Sequence, residues 1–157
     1  MAIIHETKNF IVEAVEEPHI TRVDGGHIKI YPKMKKVDRT ELTPEEANEV
    51  MRLTMIVGEA MTKGMNNRGV DIGRINYQDN GNWSVFKPEG PYFHIHLYGR
   101  AKSAKIQKYG DAAHFPQRET GFYGGYEPLN EDDVLEIKKQ IEEISKQDKY
   151  RDENWKL

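Results

Sequence analysis

Residues 92–100 read Tyr92-Phe93-His94-Ile95-His96-Leu97-Tyr98-Gly99-Arg100. Side chains alternate along an extended chain, so Tyr92, His94, His96 and Tyr98 share one face while Phe93, Ile95 and Leu97 share the other, a core face. Imidazoles two residues apart on one strand face lie roughly 6.5 to 7 Å from each other, close enough to hold one phosphate group or one metal ion between them. A neutral imidazole attacks phosphorus well, and an unperturbed pKa of about 6.5 leaves most of a solvent-like histidine neutral at pH 7. Negative charge develops on the equatorial phosphate oxygens, so donors must already be in place, and one histidine of the pair suits that task while the other attacks. The pair also suits metal ligation with His27 or His114 as a third ligand, which makes a metal-dependent hydrolase the alternative chemistry.

The stretch resembles the signature of the histidine triad superfamily of nucleotide hydrolases and transferases, in which histidines alternate with apolar residues ahead of a Gly-Arg or Pro-Arg ending. Matching Leu97-Tyr98-Gly99-Arg100 to that ending puts His94 on the superfamily's central, nucleophilic histidine, His96 on the third, and Tyr92 in place of the first. The other register makes His96 the nucleophile and Tyr98 the substitute. Upstream, Gly25-Gly26-His27-Ile28-Lys29-Ile30-Tyr31-Pro32-Lys33 resembles the superfamily's Gly-His-apolar strand ending in Pro. Thr43-Pro44-Glu45-Glu46 opens a helix where the superfamily has one, and Val70 to Asn76 resembles its Asn-bearing strand. The likeness runs in order over about residues 9–100, while residues 101–157 match no motif.

The resemblance implies a nucleotide-binding hydrolase or nucleotidyltransferase. It would act on the α-phosphate of a nucleoside monophosphate conjugate, through a covalent nucleotidyl-histidine and with no cofactor or metal. It makes His94 and His96 the catalytic pair. The substrate-binding set would be Asn76, Ser84, Tyr92, Arg100 and His27: Ser84 as a hydroxyl donor, Asn76 near the phosphate, His27 orienting the cluster, and Arg100 with Lys102 on phosphate. Trp83 stands where the superfamily often has Gln. A phenol at position 92 donates a proton but seldom accepts one at neutral pH, so a binding module that kept the pocket and lost turnover is a further reading.

The elements that must position these residues are legible in outline. Phe10 to Val15 is rich in strand formers and pairs with His27 to Tyr31 as an antiparallel neighbour, with Glu16 to His19 as a turn. Thr43 as N-cap, Pro44 at the first helical position and Glu46 as reciprocal partner make a capping box. Ala47, Val50, Met51, Val57, Met61 and Met65 then form a stripe that should pack on the sheet. A strand from Gly69 to Ile75 precedes the turn at 78–82, and Lys87-Pro88-Glu89-Gly90-Pro91 interrupts pairing before the histidine strand. Residues 114–126 are aromatic and glycine-rich, a candidate lid, base-stacking surface or dimer arm. Asn130 caps a last helix with a seam of Val134, Ile137, Ile141 and Ile144, and Trp155 is placed to anchor a charged tail.

The expected architecture is one α+β domain over 1–157: a histidine-triad-like antiparallel sheet with a long packed helix, and a C-terminal helical extension over about 101–157. The resemblance adds a homodimer with a continuous sheet. The 157 residues carry 23 Lys plus Arg against 26 Asp plus Glu, a net charge of −3 that does not favour nucleic acid or an anionic membrane. Any anionic ligand must be held locally. With no cysteine there is no disulfide framework or thiolate site, and residues 1–8 lack a long apolar run, which points to a cytoplasmic protein without a membrane anchor.

Overall fold

A computed structural model describes residues 2–157. Five antiparallel strands, β1 (Ala2–Glu6), β2 (Phe10–Ala14), β3 (His27–Pro32), β4 (Ile72–Gln78) and β5 (Ile95–Ala101), form one sheet in the order β1-β2-β3-β5-β4. The helices are α1 (Pro44–Asn67), α2 (Glu131–Ser145) and a short α3 (Asp152–Trp155). Among the described residues no helix is long and apolar enough to cross a membrane.

Strand alternation divides the sheet's two faces. Phe10, Val12, Ile28, Ile30, Ile95 and Leu97 enter the hydrophobic core, together with Val50, Leu53, Val57, Met61 and Met65 of α1 and Val134, Ile137, Ile141 and Ile144 of α2. The opposite face carries His27, Lys29, His96 and Tyr98. Register brings them together: His27 lies directly across from Tyr98, and Lys29 across from His96.

Both helix starts form as the sequence predicts. The Thr43 side chain accepts from the Glu46 backbone while Glu46 reaches back to the Thr43 N–H, and Asn130 and Asp133 make the same reciprocal pair at α2. The α1 stripe differs in detail. Ala47 and Met51 are exposed, and the inward face runs through Leu53, Ile56 and Ala60, as 3.6-residue spacing from Val50 requires.

The sheet also extends beyond the motif-bearing segment. Residues 2–6 pair with β2, with a register shift between Ile3 and His5. The histidine strand begins later than predicted, because the Phe93 N–H bonds the Lys36 carbonyl and residues 92–94 are a lead-in rather than ladder. Gly25, just before β3, and Gly99, near the end of β5, let the two strands approach closely. Gly25 sits at φ 136°, and a Cβ on either glycine would collide with the other's backbone.

Candidate functional site

Four of the six histidines converge on the polar face of β3 and β5. His94 Nδ1 bonds the Tyr92 carbonyl at 2.9 Å. His94 Nε2 meets His96 Nε2 at 2.9 Å, and His96 Nδ1 meets His27 Nε2 at 2.8 Å. His27 Nδ1 accepts the backbone N–H of His19 at 3.1 Å.

The peptide groups at the two ends fix the direction of this chain. A backbone N–H can only donate, so His27 Nδ1 carries no hydrogen, and the neutral ring bears its hydrogen on Nε2. That N–H donates to His96 Nδ1, which places the His96 hydrogen on Nε2, where it donates to His94 Nε2. His94 keeps its hydrogen on Nδ1 and donates it to the Tyr92 carbonyl, which can only accept. Every ring nitrogen of the three histidines is satisfied, and His94 Nε2 is left as a lone pair opposite a donor.

Electrostatics agree with three neutral rings. Burial holds His27, 1% exposed, well below the usual histidine range, with His96 as the next cause. Burial, then the neighbouring His94 and His19, lowers His96 to about 2. His94 is also lowered by burial, against an opposing contribution from the Tyr92 carbonyl.

These rings line a cavity of about 380 Å³. Ser84, Trp83 and Lys87 come to it from the connection between β4 and β5, and Phe115 and Arg118 come from the aromatic C-terminal segment. The charged side chains of the lining are Lys29, Lys87 and Arg118, with no carboxylate among them. Such a wall suits an anion.

Of the residues singled out in the sequence, His94, His96, His27, Tyr92 and Ser84 line this cavity. The Tyr92 ring stacks on His94 with centroids 4.4 Å apart. Asn76 and Arg100 lie outside the lining and bond each other. Arg100, 4% exposed, donates to Asn76 Oδ1 and to the Lys108 and Asp111 carbonyls, so its guanidinium ties β4, β5 and the following loop together. Asn76 stands inside β4 rather than at its end.

His114 is exposed, packs its ring edge-on against Phe122, and does not line the cavity. Among the described residues no group of three or more His, Asp or Glu side chains is arranged to hold a metal ion.

Sequence reasoning singled out neither His19 nor Lys29, and it flagged the segment of Phe115 and Arg118 without placing either residue at the site. His19 sits in the segment read as a turn, where no periodicity marks it, yet its ring stacks on His27 at 5.0 Å and its Nδ1 bonds the Tyr98 hydroxyl at 2.9 Å. Lys29 did carry a signal, since it follows His27 by two residues on one strand face.

The fold is like that of solved histidine triad proteins. No protein-family model matches the chain, and no curated protein matches its sequence. Solved structures do match. A histidine triad family protein from Mycobacterium smegmatis, described as Zn-bound, shares 17% identity over 92% of this chain and 88% of its own, with a TM-score of 0.58. A Hit-like protein involved in cell-cycle regulation from Bartonella henselae shares 13% over 88% of this chain and 85% of its own, with a TM-score of 0.58. A hypothetical histidine triad nucleotide-binding protein from Sulfolobus tokodaii shares 14% over 91% of this chain and 85% of its own, with a TM-score of 0.59. At identities this low the superpositions show a common fold alone.

Proposed function

We propose that this protein is a nucleotide hydrolase or nucleotidyltransferase that attacks the α-phosphate of a nucleoside monophosphate conjugate through His94. The observation that carries the reading is the held imidazole: His94 Nδ1 is anchored on the Tyr92 carbonyl, so its lone pair resides on Nε2, in a cavity walled by cations. His94 Nε2 forms a bond to phosphorus, the bond from phosphorus to the leaving group breaks, and the electron pair departs with that group. Water or a second acceptor then attacks the phosphoramidate and restores the imidazole.

His96 suits the donor role because Nε2 is its only nitrogen that faces the reacting pair, Nδ1 being engaged by His27. In the resting protein its N–H occupies the His94 lone pair. A phosphoryl group entering between the rings would take over that hydrogen bond. This arrangement favours the register with Tyr92 as the substituted histidine over the one with Tyr98.

The test is mass spectrometry after incubation with adenylated and uridylated substrates. His94→Ala should give no adduct. His96→Ala should retain an adduct while losing about 10²- to 10³-fold in rate, the usual effect of removing one preorganised donor. Labelling of His94→Ala with none of His96→Ala would overturn the assignment. A second reading, a binding module with lost turnover, is favoured by the Tyr92 ring stacked on the nucleophile, where a phenol cannot replace an imidazole as proton acceptor. It predicts nucleotide protection against heat with neither adduct nor product.

A further inference from the structure

We propose that His19 contacts the ligand: its Nε2–H donates to an anionic oxygen of the phosphorylated group that leaves the α-phosphate, and Tyr98 is the positioning residue that fixes the tautomer. The inference rests on the nucleotidyl-histidine reading above.

The tautomer follows from satisfaction of the phenol. Tyr98 is 1% exposed, and among the described residues its hydroxyl has one hydrogen-bond partner, His19 Nδ1. If Nδ1–H pointed at the phenol, the buried O–H would have no acceptor, an arrangement that buried hydroxyls avoid. The phenol therefore donates, and a neutral His19 bears its hydrogen on Nε2. Among the described residues that nitrogen has no hydrogen-bond partner, and the ring lines the cavity. Burial, with Arg118 as the next cause, brings His19 down to about 4, which keeps the ring neutral.

The ring is held as a preorganised donor must be. It stacks on His27 with an interplanar angle of 29°, and Trp83, Phe115 and Tyr123 wall it at centroid distances of 5.5, 5.5 and 5.3 Å. It also lies 5.6 Å from the His96 ring. A group attached to a phosphorus at His94 that extends past His96 therefore meets His19 and Arg118. With cations as the only charged groups of the lining, that group should be anionic.

The experiment is isothermal titration with AMP, ADP and inorganic pyrophosphate. Asn at position 19 keeps an acceptor for Tyr98 but loses the distal donor, whereas Gln reaches the Nε2 position with an amide N–H. His19→Asn should weaken ADP by about 10- to 100-fold, the worth of one hydrogen bond to a charged group, and His19→Gln should recover most of it. Equal losses in the two variants, or ADP affinity unchanged in His19→Asn while AMP still binds, would overturn the role of His19 and leave the nucleotide reading standing. Pyrophosphate binding with the same Asn and Gln ordering, but without nucleotide binding, would overturn the nucleotide reading and keep the donor. Binding of none of the three overturns both. In Tyr98→Phe, nitrogen-15 shifts of His19 should move from the Nε2–H tautomer to a mixture; an unchanged spectrum removes Tyr98 from the proposal.

Discussion

Acid should unfold this protein from its histidine cluster. The unfolded chain protonates its histidines near pH 6.5, whereas His27 and His96 in the folded chain stay neutral well below that, so the unfolded state binds more protons as pH falls. Depressed histidine values mean that their contribution to stability is complete above pH 6.5 and is lost on acidification. Each such histidine contributes about 1.36 kcal/mol per pH unit. His27 and His96 together approach about 2.7 kcal/mol per unit below pH 6.5, or about 4 kcal/mol in all between pH 7 and 5. That is a large part of the 5 to 15 kcal/mol typical of a domain. The window lies above the ordinary carboxylate range, so histidines dominate it. Urea unfolding at pH 7, 6 and 5 measures the slope through the midpoint at constant m-value. Equal stability at pH 7 and pH 5 would show that the folded cluster takes up protons as readily as the unfolded chain, and the neutral hydrogen-bonded chain would be wrong.

Two further perturbations test the frame around the site. Arg100→Met removes three hydrogen bonds from a buried guanidinium and strands two carbonyls, and should cost about 3 kcal/mol in urea unfolding; a loss of nucleotide affinity at unchanged stability would instead put Arg100 on the phosphate. A homodimer is proposed through the β4 edge, beside which Met51, Met55 and Tyr77 are exposed by 57%, 38% and 50%. Light scattering should give twice the 18.2 kDa chain mass, with Met51→Lys shifting it toward the monomer, and a monomer across the micromolar range removes the proposal.

The parts legible in the sequence are those governed by local rules. The α1 capping box follows from residues three apart, the Asn130 cap and the α2 seam follow from cap preference and helical spacing, and the common face of His94 and His96 follows from strand alternation. β1 stayed hidden because its alternation is broken at the register shift between Ile3 and His5. Arg100 shows the limit of a motif: a cation at the end of the histidine strand reads as a phosphate contact until the chain folds and three oxygens claim it. His19 and Arg118 reach the cavity from segments without periodicity, 8 residues before His27 and 22 after His96, and only tertiary packing brings them in.

The hydrogen-bond direction through the cluster explains why the histidines are numerous and acids absent. A carboxylate next to His27 or His96 would favour an imidazolium, and a protonated His94 has no lone pair for phosphorus. Peptide groups avoid this: the His19 N–H and the Tyr92 carbonyl set the polarity at either end without adding net charge. The Coulomb attraction for the proposed phosphate would come instead from Lys29, Lys87 and Arg118, which line the same cavity, and Lys29 and Arg118 also disfavour protonation of His27. On the proposed reading, this division would let one site attract an anion and still present a neutral nucleophile at pH 7. Moving a carboxylate into the cluster, as in His27→Asp, should therefore raise the His94 pKa and shift the acid limb of adduct formation to higher pH; an acid limb left where it stands in the wild type would refute the division.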